Sequence, residues 1–179
     1  MPHRPASLLR RTADNIGRFT QATGSCVAWL LLVMVLIQCT VVALRYGFEI
    51  GSIALQESVS YLHACCFMLG AAYTLKVDEH VRVDIVYCRL SEQNKAWVNL
   101  MGTALFLVPL TFFIGWSSLE YVIQSWQIRE TSAEPNGLSF VYLLKSLIPL
   151  FSFTLLCQAF AEIIKSLLAV QTHSNDLHP

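Results

Sequence analysis

Polar side chains are few within the long apolar stretches of this 179-residue sequence, so each is a candidate for chemistry. Gln38, His63 and Gln158 lie inside apolar stretches, and Glu57 and Lys145 lie near their ends. A polar group in an apolar environment is costly and commonly has a structural or functional role. The two glutamines can form hydrogen bonds between helices, each of which contributes about 0.6–2 kcal/mol in lipid.

His63 is the one histidine inside an apolar stretch, and this limits the cofactor chemistry that the sequence can support. A bis-histidine haem site needs two such residues. Asp78, Glu79, His80 and Asp84 could gather a metal ion, but nothing in their spacing fixes a coordination geometry. We therefore predict no catalytic residue, no metal site and no cofactor, and we interpret His63 as a packing residue.

Charged residues flank the apolar stretches and indicate contacts near their ends. Arg45 follows the first stretch and Glu57 opens the second, so we expect an ion pair between them that closes the first hairpin. Two separately hydrated charges are the alternative. Trp126, Glu130 and Lys145 surround the third connection, where an aromatic anchor and charges form either a contact site or a plain solvated loop.

The connection between the second and third stretches is the richest polar segment of the sequence. Apolar and polar residues alternate from His80 to Ile85, which is typical of an extended or interfacial strip with one face in contact with a partner. We interpret His80, Arg82 and Asp84 as part of a charged docking strip. An ordinary solvated loop remains the alternative.

The composition places the elements that carry these residues in a membrane. Hydrophobic residues make up 55% of the chain and charged residues 13%, against roughly 25% charged residues in soluble proteins. A soluble fold of this size cannot hide so much apolar surface. Four segments approach the ~20 apolar residues that cross a bilayer as a helix. We predict an all-α integral membrane domain over residues 24–168, with four spans at about 24–44, 54–75, 96–119 and 140–161.

The distribution of Lys and Arg predicts the orientation of these spans. Nine lie in the N-terminal segment, the middle connection and the C-terminal region, and only Arg45, Arg129 and Lys145 lie toward the opposite side. Because cytoplasmic loops carry the excess of Lys and Arg, we expect both termini in the cytoplasm. Residues 1–23 then form a basic cytoplasmic segment and residues 169–179 a flexible cytoplasmic tail. The formal net charge of zero gives no field that would attract nucleic acid.

Short motifs occur in a characteristic order across residues 25–168. They are Arg45-Tyr46-x-Phe48, Leu55-Gln56-Glu57, Tyr61-Leu62-His63, Leu69-Gly70-Ala71-Ala72-Tyr73-Thr74-Leu75, His80-Val81-Arg82-Val83-Asp84, Ser125-Trp126, Glu130-x-Ser132, Gly137-Leu138 and Tyr142-Leu143-Leu144-Lys145-Ser146-Leu147-Ile148-Pro149. Their order and spacing resemble the small, DctQ-like membrane subunit of TRAP (tripartite ATP-independent periplasmic) transporters. The later motifs resemble the branch labelled for mannitol or chloroaromatic compounds.

The resemblance implies a subunit of a secondary transporter in a bacterial inner membrane, and not an enzyme. In this family a periplasmic solute-binding protein captures the solute, usually an organic acid, and a large membrane subunit holds the solute and sodium sites. The small subunit pairs with the large one, among membrane lipids, and enlarges its fixed scaffold. The residues agree with this scaffold role. Transporter sites use broken helices near the midplane, and a break in these spans would be expected at Pro109 or Pro149. Both prolines have largely apolar surroundings, with no charged groups flanking an obvious break.

Two other functions are compatible with four apolar helices. A haem- or quinone-binding anchor of a respiratory complex could use His63, but the second histidine that haem would need is missing. A stand-alone channel or carrier would need a polar stripe along a pore, and the sequence offers only the scattered Gln38, His63 and Gln158.

Overall fold

A computed structural model describes residues 4–77 and 90–175, and these residues are entirely helical apart from their connections. They form five α-helices and a π-helical segment, in the order α1 (Arg4–Gly47), α2 (Ile53–Lys76), α3 (Glu92–Gly102), the π-helical segment (Thr103–Leu107), α4 (Val108–Gln127) and α5 (Val141–Asn175). The prediction of an all-α fold is confirmed.

Within these residues, four helical stretches are long and apolar enough to cross a membrane. The first, second and fourth lie in α1, α2 and α5, and the third runs continuously through α3, the π-helical segment and α4. α1 has 44 residues, so it is about 66 Å long at 1.5 Å per residue, roughly twice the ~30 Å hydrocarbon core. A large part of α1 therefore extends outside the bilayer.

The N-terminal part of α1 is helical because it carries its own buried face. Small and apolar residues recur at a spacing of four and three, and they turn toward the rest of the bundle. These residues are Ala13, Gly17, Thr20, Gly24 and Val27. Gly24 lies against the ring of Tyr73 on α2, where even a single added carbon would collide. The basic segment 1–23 of the sequence prediction is thus, from Arg4 onward, a continuation of the first helix.

Of the described elements, α5 occupies the centre of the bundle. It packs against α1, α2, α3, the π-helical segment and α4, and its most apolar stretch is more buried than the corresponding stretches of the other spans. Ala159 and Ala161 are fully buried on it, and Leu155 is 5% exposed. Small side chains permit this close packing, which in lipid depends on van der Waals contact between helices.

Pro109 explains why the third span changes its hydrogen-bonding pattern. Proline has no amide hydrogen and its ring clashes with the carbonyl four residues earlier, here that of Leu105. The chain widens into a π-helical segment just before this point, and the amide of Val108 bonds to the carbonyl of Thr103. Proline and π-bulges are both known causes of local helix distortion.

The helix that carries the fourth predicted span continues well beyond residue 161, because α5 ends at Asn175. Just beyond residue 161, Glu162 and Lys165 form an ion pair of 2.8 Å along the helix. The flexible tail expected from residue 169 is therefore helical over residues 169–175. The N-terminal part of α1 and the C-terminal part of α5 lie side by side, and Arg10, Asp14 and Lys165 line a common cleft between them.

Candidate functional site

A polar cap closes the end of the bundle where α2 begins and where residues 128–140 connect α4 to α5. Its core is Glu57, whose two carboxylate oxygens are both engaged by this connection. The hydroxyl of Ser132 donates to Oε1, and the amide of Leu138 donates to Oε2 at 2.6 Å. Hydrogen bonds to an ionised group are stronger than those between neutral groups. Glu57 thus fastens the connection to the second helix.

The approach of the chain to Glu57 depends on Gly137. A Cβ at this position would lie 2.8 Å from Oε1 of Glu57, closer than real Cβ contacts allow. The turn before it is set by Pro135 and by Asn136, which has a φ of 63°, and the amide of Gly137 bonds to the carbonyl of Glu134 at 3.1 Å. Proline followed by a residue with positive φ is the pattern of a type II turn, and a Pro-Asn-Gly sequence is typical of a turn.

The C-terminus of α4 directs Glu130 toward α5. The amide of Glu130 bonds to the carbonyl of Ser125 at 3.0 Å, the amide of Arg129 bonds to that of Trp126 at 3.3 Å, and Arg129 has a φ of 46°. This is the Schellman arrangement that ends many helices, with arginine at the position that glycine usually takes. It leaves the Glu130 carboxylate facing Lys145.

Glu130 and Lys145 form an ion pair in which the side chains are 30% and 14% exposed. The Lys145 ammonium also lies 3.9 Å from the ring centroid of Tyr121, where the negative face of the ring favours a cation. The hydrogen bond from Lys145 lowers the pKa of the Glu130 carboxyl from its usual range. The pair therefore holds both charges at neutral pH and ties the connection to α5.

Trp126 completes the cap from the last turn of α4. Its indole nitrogen donates to the hydroxyl of Ser146 at 2.7 Å, and its ring meets that of Tyr142 edge to face at a centroid distance of 4.7 Å. Such aromatic pairs contribute about 0.5–1.5 kcal/mol beyond their buried area. The polar cap therefore brings together four of the residues selected from the sequence, namely Glu57, Trp126, Glu130 and Lys145.

The expected ion pair between Arg45 and Glu57 is not formed in the described part of the chain. Arg45 is exposed, and α1 ends just after it, where the amides of Phe48 and Ile50 both bond to the carbonyl of Leu44. The carboxylate of Glu57 is instead taken by donors of the α4–α5 connection, which the sequence places 75 and 81 residues away. His80, Arg82 and Asp84 lie outside the described residues.

Ser132, Gly137 and Ser146 belong to the cap but were not selected as site residues. Ser132 occurs in the motif Glu130-x-Ser132, and Ser146 adjoins Lys145, so the sequence placed both near the right region. Their partners depend on how the connection folds back over α2, which local patterns do not show. The steric requirement for glycine at position 137 is suggested by the sequence Pro135-Asn136-Gly137 alone, because these residues are typical of a turn.

A second polar network joins α1 to α5 at the opposite end of the bundle, which we call the paired end. Gln158 is fully buried; its Oε1 accepts from the hydroxyl of Thr20 and its Nε2 donates to Glu162 Oε1, each at 2.8 Å. Nearby, the ammonium of Lys76 donates to Gln21 Oε1 at 2.7 Å. The prediction that Gln158 forms hydrogen bonds between helices is confirmed.

On α2, the small residues Cys66 and Gly70 pack against α1. The thiol of Cys66 donates to the carbonyl of Val27 at 3.8 Å, and a Cβ at Gly70 would touch the side chain of Val27 at 3.7 Å. The described residues contain no group of three or more His, Cys, Asp or Glu side chains that could hold a metal ion.

Comparison with known families identifies the kind of protein that has this architecture. Residues 34–169 match the profile of the family described as "Tripartite ATP-independent periplasmic transporters, DctQ component". The chain belongs to the DctQ family. A protein of Haemophilus influenzae assigned as a TRAP transporter small permease protein is 26% identical over 115 residues, which cover 64% of this chain and 71% of the relative. No solved structure is significantly similar to the chain.

Membership of the DctQ family settles the class of function. Proteins of this family are components of transporters and not enzymes, so the chain is a TRAP small permease subunit. Together with the four apolar helices, the family makes this chain a multi-pass protein of the inner membrane.

Proposed function

We propose that the chain is a scaffold subunit that pairs with the large membrane subunit of a TRAP transporter and binds no solute itself. The proposed transport depends on a periplasmic solute-binding protein, is coupled to Na⁺, and takes up an organic acid or a similar small solute. The resemblance to the mannitol and chloroaromatic branch does not identify the solute.

The observation that carries this proposal is the position of the bonded polar groups. In the polar cap, Glu57 and Glu130 are occupied by residues of the same chain. At the paired end, Gln158 and Glu162 are likewise occupied. Solute sites in transporters lie near the midplane, whereas these bonded groups lie at the two ends of the bundle. The bonds at both ends instead hold the helices to one another, which is what a fixed scaffold requires.

The proposed orientation places the paired end in the cytoplasm and the polar cap in the periplasm. The paired end holds the N-terminal part of α1 and the C-terminus of α2, and the sequence segments at that end carry nine of the twelve Lys and Arg residues. The periplasm is also the side from which a solute-binding protein approaches. We further propose His80, Arg82 and Asp84 as a cytoplasmic docking strip for the large subunit.

Co-purification tests the pairing directly. The tagged chain, expressed from its native locus and extracted in a gentle detergent, should carry with it a much larger polytopic membrane protein that mass spectrometry identifies as a TRAP large subunit. Solute uptake should be lost when the gene for the chain is deleted and restored when it is supplied again.

Two further measurements sharpen this experiment. Replacing Arg82 and Asp84 together by alanine should reduce the recovered large subunit while the amount of the chain in the membrane stays constant. Recovery of the chain alone, or transport by the purified chain in vesicles without a partner, would overturn the proposed function.

A further inference from the structure

A groove on the outer surface of α1 and α2 contains polar side chains that the two networks above do not use. It has a volume of about 460 Å³ and is lined by Gln38 on α1 and by Ser60 and His63 on α2, with Met34 and Val35 among its apolar walls. All three polar residues are exposed. Two of them, Gln38 and His63, are the intramembrane polar residues that the bundle itself does not absorb.

These side chains lie deep in the membrane-spanning part of the protein. His63 is ten residues from the start of α2 and Gln38 is nine residues from the end of α1. At 1.5 Å per residue they are about 14–15 Å from the helix ends, which is half of the ~30 Å hydrocarbon core. Lipid headgroups therefore do not reach them.

Their hydrogen-bonding capacity is not used within the described part of the chain. In residues 4–77 and 90–175, the side chains of Gln38, Ser60 and His63 form no hydrogen bond with another residue. A glutamine amide has two donor hydrogens and an acceptor, and a histidine ring and a hydroxyl each offer both functions. Gln158 shows the alternative, because the same amide group there is fully buried and bonded on both sides.

The surface around the groove has the form of a helix-packing face. Leu31, Val35, Gln38 and Val42 recur at a spacing of four and three along α1, and the three apolar members are 44%, 52% and 45% exposed. This stripe extends about 16 Å along the helix. An apolar stripe with one polar member is typical of a surface that packs against another helix and fixes its register through a hydrogen bond.

We propose that this groove receives a transmembrane helix of the large membrane subunit, and that Gln38, Ser60 and His63 hydrogen-bond a polar side chain on that helix. Acyl chains fill the space but offer no hydrogen-bonding group, whereas a membrane helix supplies both an apolar surface and a polar side chain at this depth. The inference rests on the proposed function, since it takes the partner from the TRAP architecture, and it adds the place where the partner binds.

Site-specific photo-crosslinking tests the proposal without altering the three polar residues. A benzophenone amino acid replaces Val35 inside the groove, and in a matched variant it replaces Phe106, which is 75% exposed on the third span. Irradiation of intact membranes should join the chain to the large subunit from position 35 with a several-fold higher yield than from position 106. Mass spectrometry of the product identifies the partner.

A second pair of variants tests the hydrogen bonds themselves. The double variant Gln38→Leu/His63→Leu should weaken assembly with the large subunit about 5–10-fold, the effect of losing two interhelical hydrogen bonds in lipid. The control Gln127→Leu, an exposed glutamine at the end of α4, should leave assembly unchanged. If the double variant does not accumulate in the membrane, the crosslinking yields from positions 35 and 106 test the groove assignment instead.

The outcomes separate this proposal from the one on which it rests. Crosslinks to the large subunit from position 106 and not from position 35 would overturn the groove assignment and leave the scaffold function standing. Crosslinks from position 35 to a second copy of the chain, or to lipid alone, would also overturn the groove assignment. A large subunit found neither by crosslinking nor by co-purification would overturn the scaffold function as well.

Discussion

Glu130 is the residue at which the polar cap becomes sensitive to pH. The residue lies just beyond the end of α4, and the hydrogen bond from Lys145 lowers the pKa of its carboxyl. A carboxylate whose pKa is lower in the folded than in the unfolded state contributes stability above the unfolded value. That stability disappears as the pH falls through the folded value. Acid should therefore loosen the connection from α5 while the helices remain inserted.

We expect the thermal stability of the detergent-solubilised protein to fall as the pH drops below about 4.3, the ordinary pKa of glutamate. Glu130→Gln removes the charge at every pH, so this variant should be less stable at neutral pH, by the order of a few degrees in Tm, and should show a flatter acid profile. Tryptophan fluorescence during heating at a series of pH values measures both effects.

Glu134→Gln is the matched control, because Glu134 lies in the same connection and is exposed. This variant should keep the pH profile of the unaltered protein. If Glu130→Gln and Glu134→Gln behave alike, the Lys145 pair has no part in the acid sensitivity of the cap.

At the scale of single residues, the sequence singled out several side chains that the structure brings together, but it did not identify their partners. Glu57 and Lys145 stood out because charges beside apolar stretches are rare. Trp126 stood out because indole rings favour the membrane interface. The predicted partner of Glu57, Arg45, was wrong. Glu57 instead accepts hydrogen bonds from the hydroxyl of Ser132 and the amide of Leu138, 75 and 81 residues further along the chain. Such pairings arise from the fold of a loop, and no local pattern specifies them.

Glycine positions govern how closely the helices approach one another. A Cβ at Gly115 on α4 would lie 3.0 Å from the Cβ of Ser152 on α5, whereas a Cβ at Gly102, at the end of α3, would meet nothing within 4 Å. Both positions belong to the third span. The comparison therefore separates the effect of helix contact from the effect of changing a glycine in a membrane helix.

We expect Gly115→Val to destabilise the protein by about 1–3 kcal/mol, the usual range for overpacking, and Gly102→Val to have a much smaller effect. Unfolding of the purified protein in mixed micelles, followed by fluorescence, measures the difference. Equal losses in the two variants would mean that α4 and α5 are not in close contact at Gly115.

The elements themselves followed from the sequence, but their lengths did not. Hydropathy located the four spans because the bilayer selects stretches of ~20 apolar residues. Hydropathy has no such signal for the polar extensions of α1 and α5, which are helical because they pack on each other. The four-and-three spacing of Ala13, Gly17, Thr20, Gly24 and Val27 was visible in the sequence, and it predicts a buried helical face more specifically than the charge of that segment does.

At the scale of the whole molecule, the N-terminal part of α1 and the C-terminal part of α5 lie at the paired end, and the polar cap lies at the other. We expect green fluorescent protein fused after Asn175 to fluoresce, because it folds in the cytoplasm but not when exported by the general secretory pathway. Alkaline phosphatase fused after Gly51, in the first connection, should be active, since this enzyme needs the periplasm for its disulfides. Phosphatase activity at the C-terminus and fluorescence at position 51 would reverse the proposed orientation.

α5 is translated after the other described helices, yet all of them pack against it. α1 and α2 can pair as soon as both have been inserted, through contacts such as those of Cys66 and Gly70 with Val27. Among the described elements, α3 and α4 make their extensive contacts with each other through the π-helical segment and with α5, so their packing onto the bundle waits for α5. The bundle is therefore completed only when α5 enters the membrane, and a nascent chain that stalls before residue 141 lacks the helix against which the others pack.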